Sequence, residues 1–309
     1  MERRTSRRSD HSLTREQLHR FCGISIICAL GIILLSTSWS LVAAQTHVLV
    51  VGIGDYRESR LQPTHADIDA QAFANALKTA GIRDQDIVLL VNEQATREQI
   101  RNWFRILNVS PGDRVIIDLG GHTGLVRNPC LGTEMAEVAA LLPYDGAGAS
   151  NSPKNGAIDG DTIAELAAGG FPSSTVFLFI DASHGDRLAH RAATMSVRGT
   201  SDVRCYALSS CRDGEHSWEY PGQEPAGVFT SFLVEAMSCG DANRDGWITF
   251  REVTEYVEKV TEYVARSIGE SQTPVSITPS TTDDGTHVRV CAVLAQCPLV
   301  ERGGGIRRD

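Results

Sequence analysis

The chain lacks the basic surface that a nucleic-acid binder needs. Its 309 residues carry 29 Lys and Arg against 38 Asp and Glu, a formal charge of −9. Phosphate backbones are held by clustered cations, so an acidic body argues against nucleic acid as a partner. None of the six cysteines beyond residue 44 shows zinc-ligand spacing with a histidine. No segment repeats another, which sets solenoids and propellers aside. Gly52-Ile-Gly54 follows a strand-like run, but a third glycine and an immediate helix are missing, so the dinucleotide fingerprint is rejected.

Charge is also missing from residues 21–44, which follow a basic head. Residues 1–20 hold six arginines against Glu2, Asp10 and Glu16, a net of +3 that leaves −12 for the rest. A basic n-region, an apolar run from Phe21 to Leu35 and small residues before Gln45 read as a secretory signal cleaved after Ala44. The alternative is an uncleaved anchor, since a span needs roughly 20 apolar residues. Either way the basic flank stays cytoplasmic and the body is expected outside the cytoplasm, periplasmic, extracellular or anchored. Membrane contact is then limited to residues 21–44.

An exported body permits disulfides. Its cysteines are Cys130, Cys205, Cys211, Cys239, Cys291 and Cys297, with Cys205/Cys211 and Cys291/Cys297 as local pairs. Bridges and buried thiols are both open for each pair.

What is present is an alternation of apolar strands and amphipathic helices. Thr46–Ile53, Ile87–Val91, the run from Val115 and the run from Val176 are nearly continuous apolar stretches, the signature of strands buried on both faces. Helical spacing marks Ile68–Ala80, Thr96–Leu107 and Asp159–Ala168 between them. Residues 124–137 read as a loop and 139–143 as a short strand. After the Val176 run come a loop, a strand over Cys205–Ser209, helices over Val228–Met237 and Phe250–Ser267, and a strand-rich end over 271–309 with a loose tail. The fold class is therefore α/β, a mainly parallel sheet flanked by helices, with a main domain over 45–270.

Two strand ends carry chemistry. Val115-Ile-Ile-Asp-Leu-Gly-Gly-His122 ends in a histidine, and Val176-Phe-Leu-Phe-Ile-Asp-Ala-Ser183 ends in a hydroxyl. Ligand sites of such sheets lie beyond the carboxyl ends of the strands, so neighbouring strands would make His122 and Ser183 a base–nucleophile pair. The plainer alternative is that Ser183 and His184 close a turn and His122 is a satisfied loop histidine. Asp69 is likewise open to being an ordinary first-turn helix acid.

Asp241-Ala-Asn243-Arg-Asp245-Gly246-Trp247-Ile248-Thr249-Phe-Arg-Glu252 fits the EF-hand pattern. Oxygens come from Asp241, Asn243, Asp245, the Trp247 carbonyl, Thr249 and a bidentate Glu252, and Gly246 permits the turn. The expected ion is Ca2+ at a single structural loop; a calcium-free Asp/Gly turn is the alternative.

Together these pieces resemble the caspase–metacaspase clan of cysteine peptidases, its bacterial metacaspase-like branch in particular, over roughly residues 46–260. Gly-Asp-Tyr56 after the first strand, Leu61 and Ile68-Asp69-Ala70 resemble the family's opening. Gly121-His122 is similar to its histidine motif, with Gly120 and Thr123 as departures. Asp181-Ala-Ser183-His184 resembles the nucleophile motif, with serine in place of cysteine. Ser209–Asp213 and Gly227-Val-Phe-Thr230 resemble its later pocket and small-subunit segments. The resemblance implies His122 as base, Ser183 at the nucleophile position and nearby amides as oxyanion hole. It implies Asp69, Asp181 and Asp213 as groups that bind Arg or Lys side chains. A hydroxyl needs far stronger base assistance than a thiol. A catalytically impaired pseudopeptidase that binds basic peptide segments is therefore expected. The rivals are a Ser183/His122 endopeptidase cutting after Arg or Lys, and a calcium-stabilised interaction domain.

Overall fold

The computed structural model describes residues 44–57, 60–128, 136–146, 156–194, 202–220, 227–280 and 283–293. The expected signal or anchor over 21–44 and the loose tail over 301–309 lie outside them, apart from Ala44. No helix among the described residues is long and apolar enough to cross a membrane.

Strands β1 (Thr46–Gly52), β2 (Ile87–Val91), β3 (Arg114–Gly120), β7 (Thr175–Asp181) and β8 (Arg204–Ser209) pair in parallel. With antiparallel β10 (Val275–Ile277) they form a sheet ordered β10-β8-β7-β3-β1-β2. Val48–Val51, Val115–Ile117 and Val176–Ile180 are all fully buried. Continuous apolar runs are what a strand covered on both faces requires. Each such side chain contributes about 1.5–3 kcal/mol when removed from water.

Helices α1 (Ala66–Thr79), α5 (Val228–Cys239) and α6 (Phe250–Ser267) cover one face, where Phe73, Phe177, Phe179, Tyr206, Phe229 and Phe250 pack together. Helices α2 (Arg97–Ile106), α3 (Gly160–Gly170) and α4 (Gly185–Ala193) cover the other, around Ile100, Phe171, Leu178 and Leu188. Caps start the helices where the sequence placed polar residues. Thr96 accepts from the Gln99 amide at 3.2 Å, and Asp159 from the Thr162 amide at 2.8 Å. The mainly parallel, helix-flanked α/β sheet is the one expected from the alternation.

Two local expectations are corrected. The segment taken as a loop contains β4 (Thr123–Asn128) and the start of β5 (Ala136–Leu141), which pair antiparallel; β6 (Ile158–Asp159) completes a small second sheet. Pairing with a distant partner, not local periodicity, makes β4 a strand. The loop after Ser183 contains α4, whose buried Leu188, Ala189 and Ala192 form too narrow a stripe to stand out between Arg and His residues. Strands β9 (Trp247–Thr249) and β11 (Arg289–Ala292) pair beside α6. Cys205, Cys211 and Cys291 are buried thiols, so neither local cysteine pair is bridged; Cys239 is disulfide-bonded.

Candidate functional site

β3 and β7 are neighbours in register, with Gly120 opposite Asp181. His122 and Ser183 therefore emerge two residues later from adjacent strand ends. The Thr123 hydroxyl donates to the Ser183 carbonyl, tying the two ends together. Gly121 makes the turn before the histidine at φ 140°, and a Cβ there would fall 2.8 Å from the Tyr56 hydroxyl. Only glycine fits that backbone at that distance. The same hydroxyl accepts from the His122 amide at 2.7 Å.

His122 Nε2 donates to the Gln62 carbonyl at 2.7 Å, which leaves Nδ1 as the acceptor nitrogen. No hydrogen bond joins His122 to Ser183. The Ser183 hydroxyl instead lies 3.4 Å from Nδ1 of His216. His216 belongs to an irregular segment held by the buried Gln272, which bonds the Trp218 amide at 3.0 Å and the Ser217 hydroxyl at 3.2 Å. That segment has no periodicity, so nothing in the sequence pointed to His216.

Among the described residues no hydrogen bond joins a carboxylate to His122, whose ring is held by the Gln62 carbonyl. Nor does a nearby thiol replace the missing cysteine. Burial pushes Cys211 up to about 12, and its sulfur faces the Ala182 carbonyl at 3.5 Å.

Below the strand ends lies a cavity of about 410 Å³ whose lining includes His122, Ser183, Asp69, Asp118, Asp181 and Glu219. Asp69 sits on the buried face of α1 with Ala66, Ala70 and Phe73, so it is not a solvent-facing first-turn acid. Its Oδ2 accepts from the Gly227 amide at 2.9 Å. Asp181 accepts from the Thr230 hydroxyl at 2.6 Å and from the Ser217 hydroxyl. A Cβ on residue 227 would lie 2.6 Å from Asp69 Oδ2 and 2.9 Å from Asp181 Oδ2, so the two carboxylates converge on a glycine. Burial raises the Asp181 carboxyl above its ordinary range, against the Ser217 and Thr230 hydrogen bonds. Asp118 is raised well above it, by burial first and then by the charges of Asp181 and Asp69. At the mouth, Glu219 is bonded to Nδ1 of His65 at 2.7 Å. Asp118, raised in part by the charges of Asp181 and Asp69, marks a site whose potential favours an entering cation.

Asp213 is not part of this lining. It pairs with Nδ1 of His184 at 2.8 Å and lies 3.7 Å from Arg187. His184, at φ 57°, starts α4 in the left-handed region.

The loop at 241–252 is folded around its own amides. Asp241 accepts from the Asp245 and Gly246 amides at 3.1 and 2.9 Å, and Asn243 from the Asp245 amide at 2.8 Å. Glu252 accepts from the Ala242 and Asn243 amides and, through its other oxygen, from Thr249, with which it forms the capping box of α6. The oxygen-only donor set suits calcium chemically. Among the described residues, however, no three His, Cys, Asp or Glu side chains draw together closely enough to hold a metal ion.

A crystal structure of a Geobacter sulfurreducens protein aligns with a TM-score of 0.54 at 15% identity, covering 81% of this chain and 99% of that one. A pro-sf-caspase-1 structure aligns with a TM-score of 0.48 at 15% identity, covering 77% and 92%. No curated protein matches by sequence. The profile of the Caspase domain, Peptidase C14, matches residues 45–284, and the chain therefore belongs to the caspase-domain family.

Proposed function

We propose that this caspase-family domain binds basic peptide segments in the cavity beside Ser183 and does not cut them efficiently. The observation that carries the reading is the convergence of Asp69 and Asp181 on Gly227 beneath the strand ends. An arginine or lysine side chain entering there meets buried carboxylates, where charge pairing is strong because water is excluded. Its backbone would then lie across the ends of β3 and β7. Serine at 183 leaves the site without a readily ionised nucleophile, and no hydrogen bond from His122 compensates.

Binding of a fluorescent Arg-containing peptide to the full-length protein tests this. Micromolar binding is expected, with loss of at least about tenfold on Asp181→Asn. Equal binding by the variant contradicts the pocket assignment. Ser183→Cys is expected to restore cleavage after basic residues to ~10²-fold or more above the Ser183→Ala background, since the thiolate is the better nucleophile.

The Ser183–His216 contact of 3.4 Å favours one rival, a serine endopeptidase in which His216 or His122 takes the hydroxyl proton. In that case Ser183→Ala and His216→Ala both abolish turnover. Calcium at 241–252 belongs to the same proposal as a structural ion. It would be held by Asp241, Asn243, Asp245, the Trp247 carbonyl, Thr249 and Glu252 once the loop amides release their oxygens. Export of the body, where calcium is plentiful, is consistent with that role.

A further inference from the structure

One acid in the cavity is explained neither by its protein neighbours nor by the convergence on Gly227. Asp118 is 3% exposed, and its Oδ1 has no hydrogen-bond partner. It lies on β3 two residues before Gly120, the register partner of Asp181. Alternation along a strand puts Asp118 on the same sheet face as Gly120 and Asp181, roughly 6–7 Å deeper along the strand direction. Asp69 faces it from α1 and Asp181 from β7, with Glu219, His216 and His122 nearer the mouth. A buried acid kept for structure has its oxygens bonded. Asp118 lines the cavity while its buried Oδ1 lacks a donor, and a donor arriving with a ligand can supply one.

We propose, building on the basic-side-chain reading of this cavity, that Asp118 is its floor acceptor and makes it selective for a guanidinium over an ammonium. An ammonium presents three donors from a single point, whereas a guanidinium presents five in a planar fork. A point donor between Asp69 and Asp181 satisfies those two and leaves Asp118 beyond reach. A fork bonded to the same pair extends a second edge toward the floor. The cation also changes the charge state of the site. In the empty cavity burial and the two neighbouring acids keep the Asp118 carboxyl protonated well above the usual range. An entering guanidinium reverses that balance, and the Asp118 proton passes to solvent as the pair forms.

The test is calorimetric titration of the full-length protein with N-acetylagmatine and N-acetylcadaverine, arginine-like and lysine-like cations with no peptide bond to cut. Each titration is run in two buffers of different ionisation enthalpy. The arginine-like ligand is expected to bind at least about tenfold more tightly, with a buffer-dependent enthalpy that reports proton release. Asp118→Asn should bring the two affinities within about twofold and remove the buffer dependence, leaving the lysine-like ligand unaffected. Asp181→Asn should weaken both. Equal affinities in the wild type, or an Asp118→Asn protein that keeps the preference, overturn the role of Asp118 alone. Failure of both ligands to bind the wild type overturns the basic-side-chain reading and this inference with it. The wild-type preference and its buffer dependence decide the matter even if a substituted protein does not fold.

Discussion

Gly227 owes its identity to two carboxylates that occupy the place of its missing side chain. A methyl group there must displace Asp69 or Asp181, and both are held by hydrogen bonds. Gly227→Ala is therefore expected to lose basic-peptide binding by at least about tenfold and to lower stability by ~1–3 kcal/mol, read by peptide titration and thermal melting. Asp118 sets a second expectation. Its folded-state carboxyl titrates above its unfolded one, so the unfolded chain gives up that proton first. Its contribution is most favourable below the unfolded value near ~3.9, and stability falls as pH rises toward the raised folded value. Asp118→Asn should flatten that decline and raise the melting temperature at neutral pH, so identical melting-versus-pH curves for the two proteins contradict this. His122 and Ser183 were legible as residues because each ends an apolar strand in small polar residues. Asp118 was visible only as a strand acid, since its direction depends on which sheet face α1 covers. Gly227 was legible only as the start of Gly227-Val-Phe-Thr230, which resembles a family segment, and His216 carries no local signal, because segments distant in sequence bring both to the cavity.

At the scale of elements, the buried strands declared themselves because a strand covered on both faces has nowhere to put a polar residue. β4 and α4 did not, because one depends on a partner strand and the other on a narrow apolar stripe. The α5–loop–α6 unit was legible in both helices and in Gly246, whose φ of 84° suits the turn. In its loop Glu252 is occupied by the Ala242, Asn243 and Thr249 amides. Calcium is expected to raise the melting temperature reversibly, with loss of the effect on Glu252→Gln. A melting temperature indifferent to calcium and chelator removes the ion from the account. Independently of the ion, Thr249→Ala removes the capping box of α6 and should cost about 1 kcal/mol in denaturant unfolding.

The whole molecule is a caspase-family sheet whose carboxyl edge carries an acidic cavity and a hydroxyl where the family resemblance expects a thiol. Order of strands in the sheet made the site, since β3 and β7 had to be neighbours for His122 and Ser183 to meet the same cavity. That adjacency follows from chain connectivity and packing and could not be read from either strand alone. The central claim is that this edge binds basic segments without cutting them. Its most direct test is hydrolysis of Arg- and Lys-reporter peptides by the full-length protein beside Ser183→Ala, with and without calcium. The account predicts no turnover above the alanine variant. Turnover in the wild type that vanishes with Ser183→Ala contradicts it and makes the protein a serine-equipped peptidase.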